Sequence, residues 1–263
     1  MYPTLTANDL DIKIFPQYPR RLVISWSIGK SVPVPLRFNV FRSGGLDGEF
    51  EKLNAAPVPN FFYFDSGLKP LSKLFDVVYK LEVIWPTGQK QLFGPFPLVS
   101  SPRVKSAYLV AKEMDREYAI EYRTYSGIEL RIFKLRQYGE RCTECFNIVT
   151  QEVTDGDCEE CFGTSFKGGF WDPIDILGKI DVYSRGQQIR DPFSFIEDHV
   201  STANIRAFPT VAKGDIIVEK ANNIRWYVNA VQTIEHMRFP VKQLAEVRQI
   251  ERSSIFYTLD SDD

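Results

Sequence analysis

The sequence predicts a mainly β protein: an N-terminal antiparallel sandwich, one helix, a four-cysteine ribbon and a small C-terminal barrel-like domain. Three observations predict it. Short apolar runs of period two recur through residues 1–100 with turn residues between them. One helical stripe follows. All four cysteines then fall in a 20-residue window as two Cys-x2-Cys pairs. The boundaries read as 1–100, 101–139, 140–172 and 173–263.

The sandwich rests on alternation. RLVISWSI (21–28) places Leu22, Ile24, Trp26 and Ile28 on one face, and LRFNVFRS (36–43) does the same with Leu36, Phe38 and Val40. GKSVPVP breaks the chain between them. FFYFDSG (61–67), FDVVYKLEVIW (75–85), the turn PTGQ and KQLFGPF complete six or seven short strands. Such a run without helical period argues for two packed antiparallel sheets. The early Trp26, the FNVFRS strand, FYFD before VVYKLEV and the late GP resemble a fibronectin type III-like domain of the immunoglobulin kind, over residues 8–100. That resemblance implies a sandwich and leaves function open.

SSPR (100–103) reads as a linker, and a helix is expected over about 105–123. Ala111, Met114, Tyr118 and Tyr122 form its packing stripe, with Lys112, Asp115, Arg116 and Glu121 elsewhere on the cylinder. Ser126-Gly127 stops it. GIELRIFKLRQY reads as a strand whose alternation (Leu130, Ile132) breaks at Phe133 and Leu135, which a bulge or burial on both faces would explain. Beyond residue 172, DIIVEK (215–220), IRWYVNAVQTI (224–234) and VKQLAEVRQI (241–250) are strands joined by turn chemistry at KGD and ANN. A small barrel is expected there.

Two Cys-x2-Cys pairs, Cys142/Cys145 and Cys158/Cys161, are what a tetrahedral four-sulfur site needs, with a hairpin arm between them. Zn2+ is the expected ion, and its role structural, since four cysteines leave no open coordination position. A ribbon of this size has little apolar core, so the metal would supply folding free energy. Unrelated free thiols, a dithiol redox pair and a rubredoxin-type iron centre are the competing readings. Gly163, Gly168 and Gly169 in FGTSFKGGFWDP allow positive φ and close backbone approach. Phe166, Phe170 and Trp171 are expected to cover the metal site. No phosphate-cradling loop is read there, because neither a Gly-Lys-Ser/Thr ending nor a helix start follows.

Composition narrows the function. The 263 residues are 44% apolar, which excludes global disorder. Lys plus Arg is 32 against 34 Asp plus Glu, a net charge of −2, which argues against coating nucleic acid by bulk charge. No run reaches the length of a membrane span. The N-terminus lacks a basic start, an apolar core and a cleavage site, so no signal peptide is expected, and folding in the cytosol follows. From Glu140 to Cys161 there are seven acids and one base, Arg141. With the −2 of a Zn(Cys)4 centre the ribbon stands near −8 and would repel phosphates.

The order "helix, strand, GERCTECF, CEECFGTSFKGGFWDP, then KGDIIVEK, RWYVNAV and VKQLAEVRQI" resembles zinc-ribbon-bearing neck or connector proteins of tailed bacteriophages, over residues 105–260. The last part is similar to the small barrels of head-closure proteins. The resemblance implies a structural virion protein, assembled in the host cytoplasm, that forms a homo-oligomeric ring at the head–tail interface. Portal or adaptor and tail-terminator or sheath-side proteins would be its neighbours, and DNA would pass the lumen without specific binding. A tail or baseplate position is the nearby alternative.

Catalysis is not expected. No nucleophile elbow, zinc-protease motif or P-loop occurs. His199 and His236 read as structural or exposed. Asp191, Glu197 and Asp198 could pair for glycoside hydrolysis, but read as a solvated loop. The runner-up is a regulatory zinc-ribbon protein that binds nucleic acid or a polymerase. It draws on eight bases between Arg103 and Arg136 (Arg103, Lys105, Lys112, Arg116, Arg123, Arg131, Lys134 and Arg136), diluted by five acids.

Overall fold

The computed structural model describes residues 5–19, 21–67, 76–98, 102–181, 187–191, 194–198 and 200–259. Among the described residues, seven strands come first: β1 (Leu10–Gln17), β2 (Arg21–Ile28), β3 (Arg37–Ser43), β4 (Glu51–Lys52), β5 (Phe62–Asp65), β6 (Val78–Ile84) and β7 (Lys90–Pro97). They form two antiparallel sheets, ordered β1-β2-β5 and β4-β3-β6-β7. The alternating faces do what their pattern requires. Leu22, Ile24, Trp26 and Ile28 meet Leu36, Phe38 and Val40 in one core with Tyr79, Leu81 and Val83.

The opposite face of the three-stranded sheet is buried too. Phe15 and Val23 lie against Ala207 and Phe208, with Phe62 and Phe64 alongside. Phe62 and Phe64 stand edge-on to Phe208, with ring centroids 4.9 and 5.1 Å away. That aromatic cluster joins the sandwich to the rest of the chain.

The helix α1 (Pro102–Glu121) ends in a π-helical turn, Tyr122–Ser126. Gly127 follows because a Cβ there would fall on the Tyr122 carbonyl, so the turn is closed by a residue without one. The buried face is Ala107, Tyr108, Ala111 and Asp115, with Met114 and Tyr118 partly covered. All four residues of the expected stripe are covered, Tyr122 buried at its end, and Asp115, expected off it, is buried beside them. A charge can sit there because Arg206 reaches it from another element.

Six strands close into a barrel in the order β11-β14-β17-β16-β15-β8. They are β8 (Ile128–Phe133), β11 (Ile174–Asp181), β14 (Val200–Arg206), β15 (Ile216–Glu219), β16 (Ile224–His236) and β17 (Phe239–Gln249). The interior is filled by Leu130, Ile132, Ile205, Ile217, Trp226 and Val228, with small Ala203 and Ala245. β8 is buried on both faces, which accounts for the broken alternation. Leu130 and Ile132 point inward, while Phe133 packs outside with Phe170, Ile216, Val218 and Leu259.

β8 and β11 are paired neighbours, Ile132 opposite Ile174. The ribbon, with short strands β9 (Phe146–Asn147) and β10 (Glu152–Val153), is thus an insertion between two adjacent barrel strands. A hairpin of β12 (Gln187–Asp191) and β13 (Ser194–Asp198) stands between β11 and β14 as its own two-stranded sheet. The β16–β17 hairpin turns at Met237 and Arg238, where Phe239 packs edge-on to Tyr108 of α1. Phe239 and Val241 thereby join the sandwich core.

Candidate metal centre

Each Cys-x2-Cys pair sits on a turn whose backbone is held by hydrogen bonds. The Thr154 N–H and hydroxyl both donate to the Cys145 carbonyl at 2.8 Å. The Thr164 N–H and hydroxyl do the same at the Cys161 carbonyl, at 2.9 and 2.7 Å. The Cys142 N–H donates to the Ser165 carbonyl at 3.0 Å, which ties the first knuckle to the second. Phe162, Gly163 and Ser165 have φ of 53°, 71° and 70°, so the chain curls tightly behind Cys161.

The glycines make this curl possible. Gly163, Gly168 and Gly169 all take positive φ. A Cβ on Gly163 would lie 2.8 Å from the Gly156 carbonyl oxygen, and one on Gly169 would lie 2.9 Å from that of Cys161. Both contacts are with backbone and cannot be relieved by a side-chain rotation.

The four sulfurs converge. Their Sγ atoms all lie within 4.8 Å of one another, and all four residues are buried. Cys142 and Cys158 sulfurs are 3.8 Å apart, and those of Cys145 and Cys161 3.2 Å apart. Ligands at the usual metal–sulfur length around a tetrahedral ion stand about 3.8 Å apart. The donor set therefore fits a metal.

Burial pushes the Cys145 and Cys161 thiols up. Burial also opposes ionisation of Cys158, yet N–H groups of Cys161 and Glu160 and the Cys145 side chain bond to its sulfur and hold its thiol below the ordinary value. Four buried sulfurs this close form a donor set that one metal ion could bridge. With all four positions taken by protein, such an ion has a scaffolding role.

The covering residues differ from expectation. Phe146 and Val153 pack on the cysteines. Phe170 instead packs with Phe133, Ile216 and Val218 outside the barrel, and Trp171 lies tilted against Tyr138 and Phe61, with centroids 4.7 and 6.3 Å away. Their positions follow from the insertion: residues 165–171 return to the barrel, so their rings fill the seam between modules. Phe166 has a third role. The Arg141 guanidinium lies between the Phe146 and Phe166 rings, 4.4 Å from each centroid. It also donates to Ser165 Oγ at 2.6 Å and to Ser31 Oγ of the sandwich at 2.7 Å.

Arg141 was legible only as the lone base of an acidic stretch. Its stacking partners lie 5 and 25 residues away in sequence, so spacing gave no signal. Of the seven acids, Glu140, Glu144, Glu152, Asp155, Asp157 and Glu159 are exposed, and Glu160 pairs with Lys167 at 3.4 Å.

The other candidate residues fall elsewhere. His236 ends β16, half-buried and away from the cysteines. His199 lies outside the described residues. Asp191, Glu197 and Asp198 belong to the β12–β13 hairpin, where only the backbone is described. A cleft of about 510 Å3 lies between α1, β1 and the barrel and is lined by Glu129, Asp175, Arg206 and Lys220. Its charges are engaged with one another or with neighbours: Asp175 with Arg131 and Lys220, Glu129 with Lys220, and Arg206 with Asp115.

No protein-family model, curated protein or solved structure matches the chain.

Proposed function

We propose that this chain is a structural virion protein of a tailed phage that forms a ring at the head–tail neck through protein–protein contacts. Zinc is the ion of the four-cysteine centre, and the ribbon is a rigid arm for those contacts. The observation that carries the reading is the core that joins the sandwich to the helix, the ribbon base and one barrel hairpin. The sandwich, α1, the ribbon base and the β16–β17 hairpin share buried side chains, from Trp26 through Tyr108 and Tyr138 to Phe239. Such a body suits a load-bearing assembly part. The sequence resemblance to neck and connector proteins supplies the setting.

The strand orders 1-2-5 and 4-3-6-7 support a fibronectin type III-like sandwich as the N-terminal module. The closed six-strand barrel supports the head-closure likeness of the C-terminal part. An acidic lumen wall would let DNA slide without sticking. The regulatory nucleic-acid reading is disfavoured by its own bases. Arg131 and Lys134 are held by Asp175 and Asp215, and Arg136 stacks on Trp171 while donating to the Phe170 carbonyl.

Mass spectrometry of purified phage particles tests the reading. The chain should be present in a fixed number of copies per particle. Its absence from intact particles, together with tight binding of duplex DNA by the full chain, would replace the reading with the regulatory one.

A further inference from the structure

The residues next to the outermost cysteines each hold another part of the chain. Arg141 precedes Cys142. Its guanidinium lies between the Phe146 and Phe166 rings. Phe146 is next to Cys145 and Phe166 is five residues past Cys161, so this stack spans both cysteine turns. From it, one Nη reaches Ser165 Oγ and the other Ser31 Oγ, at 2.6 and 2.7 Å. Ser31 belongs to the sandwich, between β2 and β3. The backbone beside it is bonded to the ribbon base. The Val32 N–H donates to the Gln137 carbonyl at 3.3 Å, and the Gly139 N–H to the Val32 carbonyl at 3.2 Å.

Phe162 follows Cys161. Its N–H donates to the Cys158 carbonyl at 2.8 Å. Its φ of 53° is a conformation that a phenylalanine keeps only where the surrounding chain imposes it. In that conformation its ring stacks on Phe256, with planes 20° apart and centroids 6.4 Å apart. Phe256 lies in a short C-terminal helix, Ile255–Thr258. The buried Arg225 of β16 donates to the Phe256 and Leu259 carbonyls and keeps that helix against the barrel.

Both anchors need the two cysteine turns to keep their mutual position. The turns have little apolar core of their own, with Phe146 and Val153 packed on the cysteines. Four sulfurs that share one ion become a single centre, and ligation then holds the turns together. The barrel interior, by contrast, contains no ribbon residue, so its closure does not need the ion. We propose that the metal is a latch for two junctions: its binding fixes Arg141 on Ser31 of the sandwich and Phe162 on the C-terminal helix, and its loss releases both while the barrel stays closed. Arg141 and Phe162 are positioning residues that pass metal occupancy to segments outside the ribbon. The inference rests on the four-cysteine centre holding zinc, and deepens that reading by naming what the ion controls.

Hydrogen exchange read by mass spectrometry tests the latch on the full chain, zinc-loaded and after chelation, with zinc counted by elemental analysis. Removing zinc should speed exchange at residues 29–34 and 254–259 by about tenfold, the effect of losing one hydrogen bond to a charged group. Residues 243–249 of β17 should be unchanged. Two variants outside the ribbon separate the junctions. Ser31→Ala should keep one zinc, exchange fast at 29–34 even when loaded, and retain the zinc dependence at 254–259. Phe256→Ala should keep one zinc and show the reverse. A zinc-bound chain whose two segments exchange alike with and without the ion would overturn the latch and leave the zinc reading standing. So would a rise spread equally over the barrel. A folded chain that takes up no zinc would remove the zinc reading, and the latch with it.

Discussion

Asp115 and Arg206 form a two-pronged ion pair, with Nε 2.9 Å from Oδ1 and Nη2 2.7 Å from Oδ2. The same carboxylate accepts the Tyr18 N–H at 2.7 Å. One side chain of α1 thus holds barrel strand β14 and the end of sandwich strand β1 together. The carboxylate is almost wholly buried, which makes the pair costly to break and poor to leave half-made.

Arg206→Met should therefore destabilise the full chain by about 3–5 kcal/mol, because it leaves the Asp115 charge uncompensated. The double variant Asp115→Leu with Arg206→Met should be less damaging than Arg206→Met alone. Urea unfolding of the single and double variants checks both statements.

Removing residues 1–100 should leave an unstable remainder. Ala107, Tyr108, Tyr138 and Phe239 belong to the sandwich core, and Phe208 packs on Phe62 and Phe64. All would be exposed by the deletion. Expression of 101–263 should give aggregate or a product without a cooperative melt. A soluble, sharply melting fragment would mean that the shared core contributes little.

Cys142→Ser or Cys161→Ser should abolish stoichiometric metal binding, with the full chain expected to hold one zinc by elemental analysis. Gly163→Ala and Gly169→Ala test the knuckle itself. Each forces a Cβ onto backbone oxygen at positive φ and should cost about 1–3 kcal/mol. Both should also weaken metal retention against a chelator.

Asp9 gives a pH prediction. Hydrogen bonds from Lys30 and from the Thr6 N–H and hydroxyl lower its pKa to about 2. A depressed carboxylate contributes stability above its unfolded pKa and loses it as pH falls through the folded one. The turn at Ala7–Asp9 should stay ordered at pH 4 and loosen toward pH 2. Carbon-detected NMR titration of the Asp9 carboxyl should show a midpoint near 2, whereas a midpoint near 4 would contradict the geometry.

The sandwich core was legible because Leu22, Ile24, Trp26 and Ile28 alternate on one face, a pattern carried by the strand itself. The second buried face, Val23 with Phe62 and Phe64, was hidden because its partner Phe208 comes from another module. The cysteine cluster was legible because its spacing is itself the geometry. The role of β8 in the barrel was not, because 40 residues, the ribbon among them, separate it from β11. Asp115 looked like a solvated charge, since nothing local announces an arginine 91 residues away.

The most direct measurement is immunogold electron microscopy with antibodies to the chain, applied to tailed-phage particles, including particles with broken necks. The account predicts label at the head–tail junction. Particles with no label at the junction, the tail or the baseplate would contradict it.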